Sequence, residues 1–127
     1  MERKTFRLII AGTRTFSDYN LLQTTVDFLL RRKGEVEIVS GGARGADRLG
    51  ELYARRHNIP LKVFPADWST GRSAGIKRNA EMAAYADALV AFWDGESRGT
   101  RNMIEEANKR NLQIRIVRYD GEQTRLL

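Results

Sequence analysis

Five short apolar runs alternate with four longer stretches of helical periodicity along almost the whole chain, and that alternation constrains the fold more than any other feature. The runs are residues 7–11, 36–40, 61–64, 88–93 and 113–119. They are strand-length and rich in β-branched and aromatic residues. Between the first two, Leu22, Val26, Leu29 and Leu30 recur at helical spacing, after Ser17 or Asp18 as cap and before Arg31-Arg32-Lys33 and Gly34. Residues 46–57 give a second helix with Leu49, Leu52 and Tyr53 inward, stopped by Asn58 and Pro60. Residues 73–85 give a third, and 100–110 a fourth with Met103, Ile104 and Ala107 inward and Thr100 as its cap.

Strands that each lead through a helix into the next strand pair in parallel, with right-handed crossovers. The expected architecture is a single α/β domain over residues 1–119. It is a Rossmann-like three-layer sandwich, with a five-stranded, mainly parallel sheet and helices on both faces. Residues 120–127 read as a loose tail.

In such sheets ligands bind beyond the carboxyl ends of the strands. Three loops gather there and each carries glycine and arginine: Gly12-Thr13-Arg14, then Gly41-Gly42-Ala43-Arg44-Gly45, then Gly95 through Arg98, Gly99 and Thr100. Glycine lets backbone amides approach an anion, helix N-termini add positive potential, and arginine offers a fork matched to phosphate oxygens. The second loop is the strongest signal, because three glycines in five residues at a strand-to-helix junction destabilise the chain unless close backbone approach requires them. Asp47, in the first turn of the following helix, suits the helix dipole and is also placed to reach a ribose hydroxyl. Trp68 and Trp93 offer rings for stacking, although tryptophan at a strand end more often belongs to a core or an interface. His57 reads as a solvated partner of a helix C-terminus, and Glu105-Glu106 as the exposed side of the fourth helix.

Composition narrows the chemistry. The chain has no cysteine and one histidine, so disulfides, thiolate metal sites and a cysteine nucleophile are excluded. No metal-ligand constellation stands in it, and no cofactor is expected. Neither G-x-x-x-x-G-K-[ST] nor a G-x-G-x-x-G after the first strand is present, which disfavours ATP hydrolysis and dinucleotide redox chemistry. Twenty-two Lys and Arg against 16 Asp and Glu give a net charge of +6, which favours an anionic partner. The first apolar run is far too short for a membrane span or signal core, so a cytoplasmic protein without membrane association is expected.

Three ordered segments carry a family resemblance: Ser40-Gly41-Gly42-Ala43-Arg44-Gly45-Ala46-Asp47, then Ala74-Gly75-Ile76-Lys77-Arg78-Asn79-Ala80-Glu81-Met82, then Gly99-Thr100. Together they resemble the SLOG superfamily, and within it the YspA-like branch common in phages and bacteria. The resemblance implies binding of nucleotides, nucleotide-derived signals or nucleic acid, with Arg14, Gly41, Gly42, Arg44, Arg78, Asn79 and Gly99-Thr100 around the phosphate. It also makes a homo-oligomer paired through helices an expectation.

Two groups within that superfamily point in different directions. In the LOG phosphoribohydrolases an arginine similar to Arg78 is catalytic, but the position of their catalytic glutamate is filled here by Met103. A thioether cannot stabilise the oxocarbenium-like state of N-glycosidic cleavage. Binding is therefore the leading expectation and phosphoribohydrolase-like cleavage of nucleoside monophosphates an alternative, with Asp47, Asp94 or Glu106 as substitute carboxylates. DNA-processing protein A has a loop similar to Ser40–Asp47, which implies single-stranded nucleic-acid binding as the other alternative.

Overall fold

The apolar runs become strands at Phe6–Gly12 (β1), Val36–Ser40 (β2), Leu61–Val63 (β3), Ala88–Trp93 (β4) and Gln113–Arg118 (β5). The periodic stretches become helices at Tyr19–Leu30 (α1), Ala46–Arg56 (α2), Ser73–Tyr85 (α3) and Arg98–Lys109 (α4), and a 3-10 turn at Trp68–Thr70 precedes α3. The computed structural model describes residues 4–71 and 73–119, so the expected tail at 120–127 lies outside the described residues.

Every strand pairing is parallel, in the order β3-β2-β1-β4-β5. The chain starts in the middle of the sheet, winds outward to β3, then crosses back to β4. The strand order therefore reverses between β1 and β4, where a crevice opens at the carboxyl edge. Alternation along β1 divides the core. Leu8 and Ile10 pack with α1 and α2 residues such as Leu22, Val26 and Tyr53. Ile9 and Ala11 pack with Met82 and Ala83 of α3 and Met103 and Ala107 of α4. Complete burial of a side chain such as Leu22 or Ile38 stabilises the fold by about 1.5–3 kcal/mol. The sheet ends at β3 and β5, whose exposed residues include Lys62, Arg115 and Arg118.

Four local expectations are corrected. Asp18 alone caps α1, its carboxylate accepting the Leu21 amide at 3.0 Å, and the helix ends at Leu30, so Arg31-Arg32-Lys33 lie just past it. Ser97, not Thr100, caps α4, which places Gly99 and Thr100 inside the first turn. Glu106 is 8% exposed, because it sits one turn beyond Met103 beside the inward stripe, and Lys109 Nζ reaches its carboxylate at 3.4 Å. Trp68, for which stacking, core and interface roles stood open, is 55% exposed, which leaves out the core.

Thr13 locks the carboxyl edge. Its amide donates to Phe92 O at 2.9 Å, its hydroxyl accepts the Asp94 amide at 3.1 Å, and its carbonyl accepts the Ala46 amide at 3.3 Å. The loops after β1, β2 and β4 are thereby tied to one another. Two glycines permit this approach. A Cβ on Gly12 would strike the Phe92 carbonyl, and one on Gly45, where φ is +77°, would strike the carbonyls of Thr13 and Arg14. Gly45→Ala is expected to lower stability by roughly 1–3 kcal/mol in urea denaturation. Gly34→Ala, at a site with no atom within 4 Å, should change it by less than about 0.5 kcal/mol.

Candidate functional site

Two clefts adjoin at the carboxyl edge. The first, of about 440 Å³, runs between α3 and α4 and is lined by Gly12, Arg14, Asp47, Arg78, Asn79, Gly99 and Thr100 among others. The second, of about 790 Å³, lies above β2 and β3 and is lined by Gly41, Gly42, Arg44, Arg48, Arg55 and Val63 among others. Arg14, Ala43, Trp68 and Arg78 line both, so they form the wall between them. Asp47 is the sole carboxylate lining the first cleft and Glu51 the sole one lining the second, against three and five arginines respectively.

Asp47 is 6% exposed, at the start of α2. Its Oδ2 accepts the Ala43 amide at 3.2 Å. Burial pushes its pKa up to about 6, and Glu51 pushes the same way; the Ala43 amide, the Arg78 charge and the Gly12 amide oppose them. Arg78 reaches across from α3, donating to the Gly41 carbonyl from Nη1 and to Asn79 Oδ1 from Nε at 3.0 Å. Burial lowers its pKa, the Asp47 charge raises it, and Arg14 lowers it further. A guanidinium nevertheless stays charged at any relevant pH. Asn79 carries the link onward, donating to Asn102 Oδ1 at 2.9 Å and to the Gly99 carbonyl at 3.3 Å. One chain of contacts thus joins the loop after β2, α3 and the start of α4.

The loop after β4 satisfies itself. Asp94 accepts the amides of Glu96 and Ser97 at 2.8 and 2.9 Å, which holds its pKa low, and Ser97 Oγ accepts the Thr100 amide at 3.3 Å. The first-turn amides of Arg98 and Gly99 make no hydrogen bond among the described residues, and both residues line the first cleft. The exposed side chains of Arg14 and Arg44 likewise have no ion-pair partner among the described residues.

Of the residues singled out by sequence, ten line one or both clefts. Thr13, Gly45 and Gly95 do not. Thr13 and Gly45 form the loop clamp, and Gly95, with φ +87°, gives room to the Arg118 guanidinium. Met103 lines the first cleft but is 2% exposed and packed into the core with Met82 and Ala107. The substitute carboxylates are engaged: Asp47 by the Ala43 amide, Asp94 by its own loop and Glu106 by Lys109. No group of three or more acidic or histidine side chains is placed to hold a metal among the described residues. Sequence reasoning missed Ser97 and Asn102 and set Trp68 aside; Ser97 enters as the local cap of α4, a cap that Thr100 masked in the sequence, whereas Asn102 and Trp68 enter through contacts between separate elements.

Two further depressions, of about 450 and 840 Å³, lie at the opposite edge of the sheet. Several of their polar side chains are already engaged. Arg31 bonds the Phe28 carbonyl and stacks on its ring, Lys33 lies over Phe6, Arg7 faces Glu37 at 3.6 Å, and His57 faces Asp27 at 3.7 Å while stacking on Tyr53. No helix among the described residues is long and apolar enough to cross a membrane.

A strand reversal at β1/β4 with arginines from three elements around it defines a Rossmann-like α/β domain with a basic crevice. Residues 6–71 match the model of the YspA, cpYpsA-related SLOG family, and the chain belongs to that family. It is 35% identical over 116 residues to the gene 61 protein of Mycobacterium phage D29, across 85% of this chain and 93% of that protein. Its fold is similar to DNA processing protein A of Streptococcus pneumoniae, with TM-score 0.73 and 13% identity over 92% of this chain and 51% of the other. This chain therefore spans about half the length of that protein. It is also similar to DNA processing protein A of Helicobacter pylori, whose structure concerns its single-stranded DNA binding mode, with TM-score 0.64 and 18% identity over 91% and 66% of the two chains.

The raised pKa of Asp47 has a thermodynamic signature. Unfolded, the carboxyl ionises near 3.8; folded, it holds its proton to about 6. Between these values the native state binds more protons, so the contribution of Asp47 is most favourable below pH ~4 and falls as pH rises to ~6, by about 3 kcal/mol in all. Denaturation midpoints measured across this range should show that decline, and Asp47→Asn should flatten it whatever its absolute stability.

Proposed function

We propose that the protein binds a nucleotide or nucleotide-derived ligand in the cleft between α3 and α4, with the phosphate held by Arg14, Arg78 and the start of α4. One observation carries the reading: two guanidiniums and the unpaired first-turn amides of Arg98 and Gly99 converge on a cleft with a single, already engaged carboxylate. Helix-terminal amides and fork-shaped cations are the donor set that phosphate oxygens take. A volume of about 440 Å³ suits a mononucleotide. Asp47 acts as a positioning residue in this reading, since it holds Arg78 and the Ala43 amide in place, and Thr100 and Asn79 shape the floor. Met103, at the position of the hydrolases' glutamate, makes the cleft one that binds without cutting.

A panel of nucleoside 5′-monophosphates in a thermal-shift screen tests this. At least one should raise Tm by several degrees at concentrations near 100 Kd. Arg14→Ala should weaken that ligand about tenfold or more while leaving the unliganded Tm unchanged, because the side chain is exposed and unpaired. Stabilisation by no nucleotide, with none co-purifying in mass spectrometry, would sink the proposal.

The second reading is single-stranded nucleic-acid binding, favoured by Arg44, Arg48 and Arg55 continuing the positive lining past the shared wall. The fold likeness to the Helicobacter pylori protein agrees with it. Each phosphate neutralised on a single strand contributes about −0.7 to the slope of log K against log salt. Oligonucleotide titrations should therefore weaken steeply with salt, and Arg44→Ala should reduce the slope by roughly one such increment. No binding to an oligonucleotide at low salt would remove this reading.

A further inference from the structure

The two tryptophans have opposite surroundings. Trp93 is held on every side: its Nε1 donates to the Ser97 carbonyl at 3.1 Å, and Arg101 and Arg118 lie over its ring at 5.7 and 5.6 Å. The Trp68 indole has no hydrogen-bond partner, ring partner or cation over it among the described residues, and 55% of the residue is exposed. Leaving that much indole in water forgoes a large burial energy, which a folding role alone does not repay.

Its placement is nonetheless fixed. The 3-10 turn that carries Trp68 is capped by Asp67, whose carboxylate accepts the Ser69 amide at 3.2 Å, and it closes at Gly71 with φ +91°. The indole lies against α3 at Gly75, where an added Cβ would come within 3.2 Å of its Cη2. A side chain there would push the ring off the helix. Ile76, 53% exposed, continues the apolar surface along the same cleft lip. A rigid, half-exposed aromatic ring thus forms one wall of the cleft that also holds Arg14 and Arg78.

We propose that Trp68 is the stacking platform for the nucleobase of the ligand, with Ile76 extending it. This rests on the phosphate anchoring proposed above and adds the other half of the ligand. Gly75 and Ile76, its neighbours on α3, carry no polar side chain, so the platform itself offers stacking without edge readout, and the polar side chains Arg14, Arg78, Asn79 and Thr100 of the cleft serve the phosphate end and the floor. Base identity is therefore read by stacking area, and purine nucleotides bind more tightly than pyrimidine nucleotides, with adenine and guanine alike within a few fold.

Calorimetric titration of the full chain with AMP, GMP, CMP, UMP and ribose 5-phosphate tests the assignment. Wild-type protein should bind AMP and GMP more tightly than CMP and UMP, and all four more tightly than ribose 5-phosphate. Trp68→Ala should weaken AMP and GMP roughly 5- to 150-fold, the range of one lost base–aromatic stack, and leave ribose 5-phosphate within about twofold. Trp68→Phe, which keeps a ring, should retain most of the affinity. Equal affinity of wild-type protein for AMP and ribose 5-phosphate overturns the platform while leaving the phosphate anchor standing. Equal losses for AMP and ribose 5-phosphate in Trp68→Ala overturn it too, since the ring would then only hold the loop. Failure of wild-type protein to bind any of the five compounds overturns both readings.

Discussion

The carboxyl edge of this sheet depends on one buried carboxylate. Asp47 stands where α2 begins, accepts the Ala43 amide, and faces Arg78 arriving from the opposite layer. Burying a charge is costly unless it is hydrogen-bonded and paired, and here the Ala43 amide and the Arg78 charge offset only part of that cost, which is why the carboxyl holds its proton to about 6. Arg78 is in turn anchored on the Gly41 carbonyl and on Asn79, which holds the start of α4. Loss of any member leaves another unpaired in a dry place. The same contacts that stabilise the edge therefore fix the direction in which Arg78 presents its remaining donors.

Most of the fold was legible because its signal is local. Alternating Leu8, Ile9, Ile10 and Ala11 face opposite layers as a period-two pattern demands, and α3 and β4 begin and end where composition places them. The site was legible only where a residue type betrays its purpose. Glycine at 41, 42 and 45 and arginine at 44 and 78 mark an anion-ready edge, yet nothing local separates Gly45, spent on the clamp with Thr13, from Gly42, open to the cleft. Glu106 was misplaced because a helical wheel does not show how far the neighbouring layer overhangs. Ser97 outcompeted Thr100 as a cap because Asp94 folds the preceding loop back and presents the Ser97 hydroxyl to the Thr100 amide. Trp68 is the sharpest case, since exposure of an aromatic ring is set by tertiary packing.

The first cleft gathers positive charge around a single carboxylate. The first cleft has guanidiniums, amides and apolar walls, but its one carboxylate is already occupied by a backbone amide. Such a surface stabilises an anion that arrives charged.

The strand order also leaves the two sheet edges with a distinct charge. β3 and β5 are both open edges, and unpaired edges invite another sheet to add on. Lys62 on one and Arg115 and Arg118 on the other bring like charge to any edge-to-edge approach. A protein of net charge +6 thus carries its own barrier against growing into a continuous sheet. The helical layers, by contrast, present backbone that is already satisfied.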